Sequence, residues 1–353
     1  MKKTSRIFPY QRAILLTEGL TDPYFARTAW FLLKYQTTRI VAVLDKMRAG
    51  TTLQTAMGIH AEIPIFSSFS DILPYQPDCL IVGIDLTGGI LPDSYRHILM
   101  EAHHQGLAII NNQHTLFSDL VGDDFITEEN SDKWMDIREW DGTSQIATHQ
   151  AAQLTTSTIM TVGTDHRVGK LLTAHEGYNL ALQRDIPSKF LATDTTGILL
   201  NGTGFSLDRV PGDFLSGRVE KEVQDLAKSQ PELIWVQGQG ALLHPGASPL
   251  TLALLHGACP HWLILCHDPT LACIDQNPEL PMLHMKEWMT LYQLMTVVYQ
   301  PQVQWAGISL NTSRLDTHTA ESLIAQLSSQ LNLPVTDPIR FGMDPILNRI
   351  CGL

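Results

Sequence analysis

The segment TSTIMTVGTDHRVGKLLTAHEGYNLALQRD, residues 156–185, constrains the fold of this chain more than any other. A short, β-branched apolar run ends in Gly163, the chain turns, and from Val168 apolar positions recur at helical spacing. Strand, glycine turn and helix in direct succession bury their apolar faces when a parallel sheet is covered by helices.

The rest of the sequence repeats that alternation. RAILLT (12–17), RIVAVLD (39–45), DCLIVGID (78–85) and LAIINN (107–112) read as strands. Helices are expected over YFARTAWFLLKY (24–35) and SYRHILMEAHHQG (94–106), the latter stopped by Gly106. The pattern is that of a Rossmann-like unit. Its first turn, TEGLTDP, lacks the GxGxxG that lets a backbone approach a pyrophosphate, so no dinucleotide is expected there. Residues 118–152 are acidic and loop-like and mark a domain boundary. Beyond them, strands are expected at KFLAT (189–193), LIWVQG (233–238), HWLILC (261–266) and VQWAGISL (303–310), with helices over 208–228, 249–257, 285–298 and 317–330. The expected fold class is α/β: a Rossmann-like domain over 1–150, then a P-loop NTPase-like domain over 151–353 with a mainly parallel sheet.

A phosphate loop works by geometry. Glycines let the backbone curl so that successive N–H groups face one anion, the following helix adds its positive end, and a lysine supplies a full charge. Gly163, Thr164, Asp165, Val168, Gly169, Lys170 and Leu171 are the residues expected to form such a loop here. The pattern departs twice from G-x-x-x-x-G-K-[ST]. Five residues separate Gly163 from Gly169, leaving Thr164 where the first glycine is expected, and Leu171 stands where a hydroxyl would meet Mg²⁺.

Other candidates cluster at strand ends, where α/β sheets hold ligands. FLATDTTGILLNGTG (190–204) brings Asp194, Thr195 and Thr196 there; Asp194 is a candidate base or metal ligand. LDRVPGDFLSGRVE (207–220) supplies Asp208, Arg209, Asp213 and Arg218, and Asp213 reads equally well as a helix N-cap. Should a metal be used, Thr173, Asp194 and Asp213 are the ligands available. In VQGQGALLHPGASPLTLALLHG (236–257), Gly238 and Gly240 imply a close backbone approach, and Ser248 a helix cap. His244 and His267 fall at strand ends on the side of the loop. Each is a candidate to take a proton near neutral pH, or else a satisfied structural group.

Composition narrows the partners. The formal net charge of −12 leaves no basic surplus for general binding to nucleic acid or anionic membrane. The N-terminal MKKTSRIFPYQRAILLTEG has no long apolar core or cleavage site and is read as carrying no signal peptide. The five cysteines are scattered without a CxxC pair, and Cys259, Cys266 and Cys273, though seven apart, share no helix face. Buried thiols in a reducing, cytoplasmic setting are expected. The expected partner is a small molecule, and uncovered sheet edges admit a homo-oligomer.

The spacing G-T-D-x-x-x-G-K resembles dethiobiotin synthetase and related amide-forming P-loop enzymes. Those continue with threonine, and a later strand ends in V-E-G-x-G. This chain has Leu171 at the first place and Gln237, in WVQGQG, where those enzymes hold Mg²⁺ with glutamate. Leucine cannot coordinate, and a neutral amide is a far weaker partner for a hard cation than a carboxylate. Phosphoryl transfer relies on Mg²⁺ to offset developing charge, so the loop is expected to hold phosphate without splitting it.

Taken together, VGTDHRVGK, TDTTGILLNGTG, VPGDFLSG, VQGQGALLHPGASPLTLALLHG and LILCHDP resemble a bacterial family long known only as a domain of unknown function and now associated with D-glutamate N-acetyltransferase. RIVAVLDKMRAG is similar to its Rossmann-like half, and residues 153–353 to its P-loop half. A glutamate commonly stands at the Gln237 position in that family, so this chain departs from it there. The resemblance implies acetyl transfer from acetyl-CoA to the amine of a D-amino acid such as D-glutamate. It implies a base among His244, His267 and Asp194, oxyanion donors around Gly238–Gly240, and a carboxylate-holding cation among Arg167, Arg209 and Arg218. Two other readings stand beside it: an ATP- and Mg²⁺-dependent enzyme that activates a carboxylate, and a non-catalytic nucleotide-binding sensor.

Overall fold

The computed structural model describes residues 10–122, 125–127 and 129–353. Residues 1–9, part of the stretch read for a signal peptide, and residues 123, 124 and 128 of the acidic stretch lie outside the described residues. The chain forms two compact units: one runs to Trp140 and takes in Thr195–Ser206, and the other comprises Asp141–Asp194 and Leu207–Leu353. The contiguous expectation drawn at 150/151 contains no such exchange.

The first unit alternates strand and helix: β1 (Ala13–Leu16), α1 (Arg27–Tyr35), β2 (Ile40–Leu44), α2 (Leu53–Met57), β3 (Ile65–Phe66), α3 (Phe69–Ile72), β4 (Cys79–Val82), α4 (Ser94–His104), β5 (Ala108–Asn111), α5 (Phe117–Val121) and β6 (Trp134–Asp136). The sheet order is β3-β2-β1-β4-β5-β6, with every ladder parallel. β1, β4 and β5 are buried throughout, which explains their unbroken apolar runs. The acidic stretch is less irregular than its composition implies, since it contributes α5 and the sixth strand, β6. Too short and mixed to show a period, β6 is held by pairing to β5. Asp45, just past β2, accepts from the N–H groups of Met47 and Arg48 on one oxygen, and from the N–H and hydroxyl of Thr21 on the other. The carboxylate that follows the second strand, which in dinucleotide folds binds ribose, is engaged locally here.

The chain continues with β7 (Ser157–Gly163), α6 (Lys170–Gln183), β8 (Ser188–Leu191), α7 (Thr195–Asn201), α8 (Leu215–Ala227), β9 (Leu233–Val236), α9 (Ser248–Ala258), β10 (Trp262–His267), α10 (Met285–Val297), β11 (Gln304–Leu310), α11 (Thr317–Leu331), β12 (Val335–Thr336) and α12 (Asp344–Cys351). Of these, α7 belongs to the first unit, where Gln36 donates to the carbonyls of Leu199 and Leu200 and the Thr28 and Thr196 hydroxyls meet at 2.7 Å. The second sheet runs β12-β11-β10-β7-β9-β8, again all parallel, so β7 lies between β10 and β9 at its centre.

Helix boundaries depart from the expected ones where backbone chemistry intervenes. The helix expected over 208–228 begins only at Leu215. Pro211 and Gly212 break its start into two single 3₁₀ turns, Leu207–Arg209 and Gly212–Phe214. Asp213 therefore lies inside a turn and is not the N-cap, which is Phe214. Ser248 is the first residue of α9 rather than its cap.

Candidate functional site

The loop after β7 has the curl a phosphate grip needs. Gly169, at φ +105°, precedes α6 in backbone that favours glycine, and Arg167 reverses the chain at φ +56°. The amides of the first turn of α6 have no intrahelical acceptors, so N–H groups and helix dipole face the loop together. Lys170 is 7% exposed and its ammonium donates to the Asp165 carbonyl at 2.7 Å, which holds the cation over the loop. A side chain at Gly163 would stand 2.8 Å from Lys170 Nζ and 2.9 Å from Val168 Cγ2, so glycine there leaves room for the lysine to fold inward.

Two buried groups fix the loop to the sheet. Tyr292, on α10, donates its phenol to the Gly163 carbonyl at 2.6 Å and accepts from Leu242 N–H at 3.3 Å. Its complete burial raises the phenol pKa and keeps it a donor. Thr164 Oγ1 meets His267 Nδ1 at 2.9 Å, and burial pushes His267 down to about 4 against the opposing charge of Asp268. His267 is thus neutral at physiological pH, and its Nδ1 is taken up by Thr164. Tyr292 escaped the sequence reading because helical spacing gives core residues and clamps the same signature.

The positions that serve a cation in related loops are closed. Leu171 is buried. Gln237 is 1% exposed; its side-chain oxygen accepts from Thr193 N–H at 3.3 Å, and its carbonyl from the Thr193 hydroxyl at 2.8 Å. Thr173, fully buried, donates to the Gly169 carbonyl at 3.0 Å and meets Ser309 Oγ at 2.7 Å. Asp213 is exposed in its 3₁₀ turn. Among the described residues, no three His, Cys, Asp or Glu side chains are grouped so as to hold a metal ion.

Three other expectations change. The Gly238 N–H donates to Thr161 Oγ1 at 3.0 Å and is not free to meet an oxyanion. A Cβ at Gly238 would lie 1.7 Å from the Thr161 carbonyl oxygen; at Gly240, 2.6 Å from that of Ala247. These glycines let main chain approach main chain. Arg218 is 3% exposed and pairs with Asp141 at 2.6 Å and Glu222 at 2.9 Å, so it anchors α8 rather than a substrate. Arg209 is half-buried in its 3₁₀ turn, Asp194 half-buried in the turn after β8, and Arg167 exposed on the loop itself.

His244 lies beside the loop with a defined tautomer. Its Nδ1 accepts from Gly246 N–H at 3.1 Å, so in the neutral ring Nε2 carries the proton. Nε2 is 3.3 Å from Asp275 Oδ1 and 3.9 Å from Asp165 Oδ1, yet aligned for a hydrogen bond with no described residue. The ring stacks on His166 at 3.7 Å. As arranged, His244 is a donor and not a base. Asp275, missed in a stretch without periodicity, is tied to the loop by its own N–H donating to Asp165 Oδ2 at 2.8 Å.

Fold and site together define a P-loop α/β unit following a Rossmann-like one. Residues 145–347 match the family described as "Domain of unknown function (DUF1611_C) P-loop domain", and residues 46–139 its Rossmann-like N-terminal partner, DUF1611_N. The chain belongs to the DUF1611 family. It is similar to a Pseudoalteromonas protein named D-glutamate N-acetyltransferase, 30% identical over 77% of this chain and 80% of that one. A Tritonibacter scottomollicae protein of the same name is 29% identical over 78% and 81%. A crystal structure of a DUF1611 family protein from Anabaena variabilis is 33% identical, covers 97% of this chain and 100% of its own, and superposes with a TM-score of 0.88.

Proposed function

We propose that this protein is an N-acyltransferase that moves acetyl from acetyl-CoA to the amine of a D-amino acid such as D-glutamate. The observation that carries the reading is a P-loop curled around Lys170 in which Leu171 and the internally bonded Gln237 stand at the cation positions. Coenzyme A offers a pyrophosphate and a further phosphate to be bound and left intact, which suits a grip built to hold rather than to transfer. The names of the two curated relatives support the same reaction. Arg167, exposed on the loop, is the candidate partner for the substrate carboxylate. The expected setting is cytoplasmic, with a small-molecule acceptor and no nucleic-acid or membrane partner; no described helix is long and apolar enough to cross a membrane.

Retention of the loop lysine favours a second reading, an enzyme using ATP with Mg²⁺ to activate a carboxylate. Calorimetric titration with acetyl-CoA and, separately, with ATP plus Mg²⁺ distinguishes the two when repeated on Lys170→Ala. The proposal expects acetyl-CoA to bind and the variant to weaken it about 10- to 150-fold, the worth of one hydrogen bond to a charged group. Lysine-dependent binding of Mg²⁺–ATP alone would reverse the assignment.

A further inference from the structure

Acyl transfer needs a proton acceptor for the substrate ammonium and a donor for the oxygen of the thioester. Two of the groups that the sequence suggests are committed elsewhere: His267 is bonded to Thr164, and the Gly238 N–H to Thr161. Beside the loop stand two groups that are not. The Nε2–H of His244 is buried, directed among carboxylates and without an aligned acceptor among the described residues. The Asp275 carboxylate is 56% exposed and accepts no hydrogen bond from the described residues, whereas both oxygens of Asp165 are engaged by backbone N–H groups.

We propose that Asp275 takes the proton of the substrate ammonium and that His244 Nε2–H donates to the thioester carbonyl oxygen, an assignment that rests on the acyl-transfer reading above. A carboxylate attracts the ammonium, and the neighbouring donor brings the carbonyl to the same place. In the reaction, Asp275 removes one proton from R–NH₃⁺ and the amine lone pair forms the C–N bond. The carbonyl oxygen carries the negative charge against His244 until the C–S bond breaks. The departing thiolate takes the second amine proton to give CoA thiol, and exposed Asp275 returns its proton to water. His244 keeps its own proton throughout, as its bond from Gly246 requires.

The test is thiol release from acetyl-CoA by the full chain, with D-glutamate or hydroxylamine as acceptor. Hydroxylamine is largely uncharged at neutral pH and has no proton to surrender before attack. Asp275→Asn is expected to lower kcat with D-glutamate by about 10²-fold or more and turnover of hydroxylamine by at least about 10-fold less than that. Asp275→Glu should recover part of the loss. His244→Gln, which keeps an N–H donor, should retain more activity with both acceptors than His244→Phe. Undiminished turnover of D-glutamate by Asp275→Asn overturns the assignment and leaves acyl transfer standing, as does an equal loss with both acceptors. A wild-type protein that binds acetyl-CoA but releases no thiol with any amine overturns both.

Discussion

Replacing Gly238 with alanine tests whether this glycine serves packing or ligand. The added methyl would stand 1.7 Å from the Thr161 carbonyl oxygen and 2.8 Å from its carbon. An ordinary C···O contact is about 3.3 Å, so main chain must retreat by roughly 1.5 Å between the end of β9 and the centre of β7. Overpacking of that kind costs about 1–3 kcal/mol. The retreat also breaks the buried 3.0 Å bond from Gly238 N–H to Thr161 Oγ1, adding about 1–3 kcal/mol. A total of about 2–6 kcal/mol is a large part of the stability of an ordinary domain. Urea unfolding followed by circular dichroism should show a midpoint lowered by about 1 M or more. Gly212→Ala is the control, since nothing lies within 4 Å of its methyl. Equal midpoints for the two variants would refute the packing argument and return Gly238 to the ligand-binding groups.

Four further outcomes follow from the same geometry. Burial pushes both His175 and His267 down to about 4, so they stay neutral in the fold while the unfolded chain takes up protons below about pH 6.5. Stability is then full above pH 6.5 and falls as pH drops toward 4, by about 3 kcal/mol per histidine, and His175→Met should flatten that slope in denaturation curves measured at pH 7 and pH 5. Arg218→Ala should cost about 3 kcal/mol by stranding part-buried Glu222, with kcat and KM of the folded fraction unchanged; Arg167→Ala should raise KM for the amino acid. Tyr292→Phe should cost about 1–3 kcal/mol in unfolding experiments and weaken phosphate-ligand binding, because the Gly163 carbonyl and the Leu242 N–H lose their partner together.

Periodicity and punctuation in the sequence make much of this molecule legible. The parallel α/β character of both halves, the strand-to-helix loop and the departures at Leu171 and Gln237 were all visible in the sequence. β6 was not, because three residues carry no period and pairing to β5 alone holds them. The start of α8 was misplaced because amphipathic spacing runs on through Pro211 and Gly212, which break the backbone.

Chemistry read from residue type alone proved less transferable. Arg218 and Arg167 are the same side chain in the sequence; one is sealed between carboxylates and the other stands exposed on the loop. His244 and His267 both lie near the loop, yet a backbone N–H makes one a donor, and burial with a threonine contact makes the other neutral. Asp275 gave no sequence signal and is brought to the site by its bond to Asp165, 110 positions away, and by His244 at 3.3 Å. The sequence by itself determined the local alternatives of each segment, because φ/ψ preferences and side-chain period act over a few residues. Only the tertiary structure decided which polar groups remain available for chemistry, because hydrogen bonding and desolvation depend on neighbours far away in the chain.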